Sequence, residues 1–416
     1  MLVKYVLGST TASIIRLFAF FILVKAVGVT NYGEVAFYLT IAVIVSNVSL
    51  LGTYNSSIRR VLNNDCKYKI IYFSSIPVVF VSAIFVFVSF ITLEHVDFIL
   101  LVTIYFSEIF ATVLLSFYCA LLNTLGEYVK SAISRLLSSS GVLTVSSLTY
   151  IYDLDIYTWS KLNLLLSIIT CSVAILFFSL KYKIIDKITK LNIKDVIRNV
   201  IECRWVTLSV FARTSFFQID RIILKVLLSP DIYGIYSVCI RLLSSLYLLV
   251  SNTIHYFEPE FYRLADSSLD EMKDFITSVY KKSCKIIIVI LLVNVISYIA
   301  LLGIRFFFPE LLTLIIPGYD SRIQIFSFFY LVLLVSLFPM SKLWIYLYAL
   351  NGLGLEKIRA ILLFSLTVLT LLIVSSLTCI NDMLAAISVV VNYYVSCKIL
   401  EFYLEKWFQS EKIKKI

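Results

Sequence analysis

Histidine is nearly missing from this chain: there are two in 416 residues. Both, His95 and His255, fall in or near loops, which leaves little room for imidazole acid–base chemistry or a His-rich metal site. Cysteine occurs eight times, at Cys66, Cys119, Cys171, Cys203, Cys239, Cys284, Cys379 and Cys397, and no two form a CxxC pair. Most lie in apolar runs, where cysteine is a small apolar filler, so neither a disulfide framework nor a zinc site is indicated. Six prolines and eleven glycines never gather into a linker, so nothing marks off a soluble domain. Charge is scarce too, at 15% of residues, against about 25% in soluble domains. No nucleophile–base pair, metal-ligand spacing or phosphate-cradling glycine loop stands out, so we expect neither an enzyme nor a cofactor.

What is present is oil. Hydrophobic residues make up 60% of the chain, and they run unbroken for twenty or so positions, the length of a membrane-crossing helix. A membrane β-barrel would alternate apolar and polar residues over ten-residue strands instead. Twelve segments are predicted, at 9–28, 34–54, 71–92, 98–119, 131–151, 161–180, 204–227, 233–254, 284–304, 324–349, 358–378 and 384–404. The fifth is crowded with Ser and Thr, which suits contact with other helices or water better than lipid. Pro339 is expected to kink or break the tenth. The first contains Arg16 and lacks a cleavage site of small residues, so it reads as a retained helix, not a signal peptide.

The net charge of +10 would suggest nucleic acid in a soluble protein; in a membrane protein it records which loops stay in the cytoplasm. With a cytoplasmic N-terminus, twenty-five Lys and Arg fall on that side, four (Lys161, Lys225, Arg305 and Arg322) on the other, and seven within spans. That asymmetry supports an even number of spans, with both termini in the cytoplasm. The basic loop from Lys181 to Arg204 divides the chain into six-helix halves, residues 1–190 and 191–416. A second basic stretch, Asp266 to Lys285, interleaves charges with Met272, Phe275, Ile276 and Val279, the pattern of an amphipathic surface helix.

The halves echo one another. "KAVGVTNYG" (Lys25–Gly33) and "KVLLSPDIYG" (Lys225–Gly234) read as matching turns after the first span of each half, with Tyr-Gly at an offset of 201. "LNTLG" (Leu122–Gly126) and "LNGLG" (Leu350–Gly354) match after the fourth span, at an offset of 228. Six helices per half keep matching turns on one side of the membrane, so the repeat is parallel. The expected fold class is an all-α membrane protein: twelve transmembrane helices in two parallel-repeat six-helix lobes around a central cavity. Such lobes can rock about a site near the midplane.

Several stretches resemble the multidrug/oligosaccharidyl-lipid/polysaccharide exporter superfamily, and specifically its O-antigen and polysaccharide flippase branch. They are "KAVGVTNYGEVAFYLTI", "LLGTYNSSIRR", "QIDRIILKVLLSPDIYGIYSV", "FEPEFYRLAD" and "IIPGYDS". The first departs from the family pattern, having Val29-Thr30 where a Pro is usual. The resemblance implies a multi-pass protein of the bacterial inner membrane serving lipopolysaccharide or similar polysaccharide biosynthesis. It implies a lipid-linked oligosaccharide as cargo, carried on undecaprenyl pyrophosphate. It also implies membrane lipids, a polysaccharide polymerase and chain-length proteins as partners, and no nucleic acid.

Ionisable groups inside spans carry the site reading, because each costs roughly 2.5–3.5 kcal/mol at a helix centre. Arg16, Arg213 and Arg241 are the candidate substrate-binding residues; a guanidinium presents a permanently charged fork to phosphate oxygens. The other reading is that they lock helices through ion pairs or carbonyls. Glu108 and Asp220 are candidates for coupling transport to protons or sodium, or else balance the arginines. Lys25 and Lys342, near a span end or the proline, can snorkel. An acid-poor interior favours an anionic cargo; the alternative is a cation-coupled drug exporter of the same superfamily.

Overall fold

A computed structural model describes residues 2–52, 69–92, 95–182, 193–257, 260–261, 263–264, 269–307 and 319–414. All regular structure there is helical. The helices are α1 (Leu2–Val27), α2 (Val29–Ser49), α3 (Lys69–Thr92), α4 (His95–Glu108), α5 (Leu115–Thr124), α6 (Tyr128–Ile151) and α7 (Ile156–Tyr182). They continue with α8 (Ile193–Glu202), α9 (Arg204–Leu227), α10 (Pro230–Tyr256), α11 (Leu269–Phe307), α12 (Tyr319–Val335), α13 (Leu337–Gly352), α14 (Glu356–Thr378) and α15 (Leu384–Lys414). A π-helical stretch, Ile109–Leu114, joins α4 to α5.

Eight helices among the described residues are long and apolar enough to cross a bilayer: α2, α3, α4–α5, α7, α10, α12–α13, α14 and α15. The chain is a multi-pass membrane protein. Four further long helices, α1, α6, α9 and α11, fall outside that set. Two of them have an evident reason in sequence: α6 is rich in serine, and α9 carries Arg204, Arg213, Asp220, Arg221 and Lys225. These helices are too polar to be wrapped wholly in lipid.

The chain forms two compact units, Met1–Gln218 and Ile219–Ile416, with the division falling inside α9. In the first, α1 packs principally on α6, and α4 packs on α2 and α7. The serines of α6 face inward: Ser131, Ser134, Ser138, Ser139 and Ser146 are buried. Gly141 on the same helix lies against Leu166, where a methyl group would collide. In the second unit, α10 packs on α12, α13 on α11 and α15, and α14 on α15.

The repeated motifs have matching backbone roles. Gly126 and Gly354 both adopt the left-handed conformation (φ +78° and +69°). In each, the next N–H bonds back across the turn, Glu127 to the Leu122 carbonyl (2.8 Å) and Leu355 to the Leu350 carbonyl (2.9 Å). This closes the preceding helix with a Schellman-type cap. The Tyr-Gly pairs are not themselves turns. The breaks lie at Gly28 (φ +81°) and Ser229, and the tyrosines sit in the first turn of the following helix. The Tyr32 N–H bonds to the Gly28 carbonyl (3.0 Å) and that of Tyr233 to the Ser229 carbonyl (2.9 Å), and both tyrosines are buried.

Two other expectations change in detail. The stretch up to Lys285 is amphipathic, with Met272, Ile276 and Val279 buried and Lys273, Lys281 and Lys282 exposed. It is not a separate surface helix, because α11 runs on without interruption to Phe307. The tenth segment breaks at Ser336, so Pro339 stands in the first turn of α13, where its missing N–H breaks no helical bond. Arg59-Arg60, Glu258-Pro259 and Pro317-Gly318, from the motifs quoted above, lie outside the described residues.

Candidate functional site

In the first unit the site is built on the contact between α1 and α6. Arg16, half-buried on α1, donates from Nη2 to Ser138 Oγ at 3.1 Å. Arg135, one turn earlier on α6, donates to the Cys119 thiol of α5, and the charge of Arg16 also reaches that sulfur. The Cys119 thiol itself points to the Ser131 carbonyl at 3.6 Å. Two guanidinia and a run of hydroxyls thus gather where α1, α5 and α6 meet. Arg135 falls inside the fifth predicted span, and its spacing of three from Ser138 is the sequence signal that the two share a helix face. Arg213 is half-buried on α9, and Arg241 is exposed on α10.

The acidic candidates belong to different units. Glu108 is half-buried at the junction of α4 with the π-helical stretch and has no hydrogen-bond or ion-pair partner among the described residues. π-bulges are often found at functional sites. Nearby, α4 and α7 are joined by hydroxyl and amide bonds: Thr103 Oγ1 to Ser160 Oγ (2.9 Å), Asn163 Nδ2 to Ser107 Oγ (2.7 Å), and Ser107 to Ser167 (3.1 Å). In the second unit, Asp220 is 4% exposed and accepts a 2.5 Å bond from the Tyr236 hydroxyl. Its other oxygen, Oδ1, is buried without a partner. The donor to Oδ2 is a tyrosine on the next helix.

Lys25 stands over the Tyr150 ring (5.1 Å) at the end of α1, exposed. Lys342 does not snorkel free. Its Nζ lies 2.5 Å from Glu401 Oε1, and the rings of Tyr280 and Tyr346 flank it at 5.4 and 5.6 Å.

A cavity of about 500 Å³ opens in the first unit where the α1–α2 and α6–α7 connections meet the start of α4. Asn31, Glu34, Tyr38, Asp97, Asp155 and Tyr157 are among its lining residues, and the Tyr38 hydroxyl is hydrogen-bonded to Asp97. Asp155 caps α7: the Thr158 hydroxyl and backbone N–H (2.9 Å) hold its carboxyl below the usual range. No group of His, Cys, Asp or Glu among the described residues is arranged to hold a metal ion.

Solved membrane transporters share this fold. An inward-facing multidrug resistance MATE family transporter of the MOP superfamily matches with a TM-score of 0.71 at 12% identity, over 97% of this chain and 96% of the other. A MOP superfamily transporter from Pyrococcus furiosus, described as having a binding pocket of reversed polarity, matches at 0.64 and 12%, over 98% and 96%. The lipid II flippase MurJ, in an inward closed conformation, matches at 0.66 and 14%, over 97% and 87%. These similar proteins are described as transporters or a flippase. No curated protein matches the sequence. The chain belongs to the family described as polysaccharide biosynthesis protein, whose pattern covers residues 3–255.

Proposed function

We propose that this protein is a flippase of the bacterial inner membrane. Its cargo is an undecaprenyl-pyrophosphate-linked oligosaccharide, an O-antigen or similar repeat unit, moved from the cytoplasmic to the periplasmic leaflet by alternating access. On this reading α1, α6, α9 and α11 also cross the membrane, giving twelve spans with both termini cytoplasmic. Arg16, Arg213 and Arg241 meet the pyrophosphate, joined by Arg135. Asp220 and Glu108 are the sites through which an ion gradient is coupled.

One observation carries the reading: the guanidinia of Arg16 and Arg135 are gathered with the inward-facing serines of α6, a helix poorly suited to lipid. A bare pyrophosphate in hydrocarbon is prohibitively costly, and each unpaired sugar hydroxyl adds several kcal/mol. Cations and hydroxyls lower that barrier while the prenyl tail stays in lipid. Membership of a polysaccharide biosynthesis family points to the same cargo.

The acidic cavity lined by Glu34, Tyr38 and Asp97 favours a second reading, a cation-coupled drug exporter, since carboxylates attract cationic cargo. Deletion of the gene followed by complementation separates the two. The flippase reading expects loss of surface polysaccharide and accumulation of lipid-linked repeat units on the cytoplasmic side. Arg16→Ala and Arg213→Ala should fail to restore the polymer at equal membrane levels, with Arg→Lys intermediate. Full rescue by both alanine variants removes the arginines from the mechanism. Intact polymer together with raised sensitivity to cationic dyes transfers the assignment to the exporter.

A further inference from the structure

Helix α8 is ten residues long, too short to cross a bilayer. It lies in the segment between the α7 span and α9, with only Cys203 separating it from the latter. Its inner face is fixed. Val196, Asn199 and Cys203 are buried, and the helix packs on α3. At its end, Gly52 (φ +69°) admits the Cys203 carbonyl and Thr207 hydroxyl so closely that a Cβ there would lie 2.9 and 2.8 Å from them. A helix held this firmly still leaves Ile197 and Ile201 exposed, at 54% and 53%.

The order of residues around α8 is informative. At about 100° per residue, half-buried Val200 lies beside the buried face, Ile197 comes next, and Ile201 lies nearly opposite that face. Lys194 and Arg198, both exposed, come next, and Glu202 lies beyond them. The cations therefore adjoin the isoleucines. This is the arrangement in which isoleucines enter the acyl boundary and basic side chains reach up to phosphates. Arg198 bonds to Glu202 (3.0 Å), but the pair is exposed and lightly held. From Lys181 to Arg204 the sequence holds seven Lys or Arg against three Asp or Glu. Near an anionic surface each such cation adds to the attraction.

We propose that α8 is an in-plane helix that docks on anionic phospholipid at the membrane surface, through Ile197, Ile201, Lys194 and Arg198. The inference is independent of the cargo. It is tested on the full chain in neutral detergent, following the thermal unfolding midpoint as phosphatidylglycerol or phosphatidylcholine is added. Phosphatidylglycerol should raise the midpoint more, and the excess should shrink at on the order of 0.5 M salt. Lys194→Gln/Arg198→Gln should lose most of that excess while keeping the lipid-free midpoint and the phosphatidylcholine response. Ile197→Ser/Ile201→Ser should weaken the response to both lipids. Equal responses of the parent to the two lipids overturn the proposal, as does an undiminished excess in the glutamine variant. If the serine variant changes oligomeric state and leaves both lipid responses intact, the face belongs to a second copy and the proposal fails.

Discussion

The Tyr236 hydroxyl donates to Asp220 Oδ2 at 2.5 Å, while the buried Asp220 Oδ1 has no hydrogen-bond partner among the described residues. A carboxylate with one donor and almost no solvent is poorly stabilised as an anion. Removing the donor makes this worse, so Tyr236→Phe should destabilise the detergent-solubilised protein by about 1–3 kcal/mol. Asp220→Asn keeps the shape and removes the charge, and should leave the unfolding midpoint unchanged or higher. If Asp220 couples transport, the same variant loses polymer export in cells. A stable, fully active Asp220→Asn protein would rule out that role.

The ion pair of Lys342 and Glu401 joins α13 to α15, and Glu401 is shared. Lys398 holds Oε2 at 2.9 Å, and the Tyr346 hydroxyl donates to Oε1 at 3.0 Å. Lys342 is 23% exposed and Lys398 56%. A partly buried pair that loses one partner strands the other charge. Glu401→Gln and Lys342→Met should each lower the unfolding midpoint, and the double variant should recover part of the loss. The coupling should be on the order of 1 kcal/mol. Lys398→Ala should change little, because an exposed pair is screened. Additive losses in the double variant would show the contact carries no stabilisation.

The paired glycine caps allow a matched comparison. A Cβ on Gly126 or Gly354 would meet nothing within 4 Å, so alanine there costs only the left-handed backbone, roughly 1–2 kcal/mol. The two substitutions should lower the midpoint by similar amounts, and Asn should be milder at both. Gly352→Ala differs in kind: its Cβ would lie 2.6 Å from the Phe261 carbonyl oxygen. It should be the most damaging of the three despite its ordinary φ. An ordering in which Gly352→Ala is mildest would contradict this packing.

Much of the architecture can be read in the chain because its cues are local. A run of apolar residues sets a helix wherever it falls, and a left-handed glycine ends one at both Gly126 and Gly354. The tyrosines misled because Tyr-Gly looks like a turn; only the backbone shows that Gly28 and Ser229 make the breaks. Partners were harder still. Asp220 reaches Tyr236 sixteen residues on, and Lys342 reaches Glu401 fifty-nine residues on. Helical periodicity sets which face a residue shares, not which neighbouring helix meets that face.

Asp155 gives the protein a pH-dependent element outside its spans. Its carboxylate accepts from the Thr158 hydroxyl and N–H at the start of α7, which lowers its folded pKa. The unfolded value is about 3.9. The stabilisation is therefore complete above that pH and is lost as pH falls through the lower folded value. Asp155→Ala should cost about 1 kcal/mol at neutral pH, as for other helix caps, and Asp155→Asn less. The difference in midpoint between parent and alanine variant should narrow as pH drops below about 4. A gap that stays constant down to the lowest pH at which the parent remains folded would mean the capping bond does not depend on the charge.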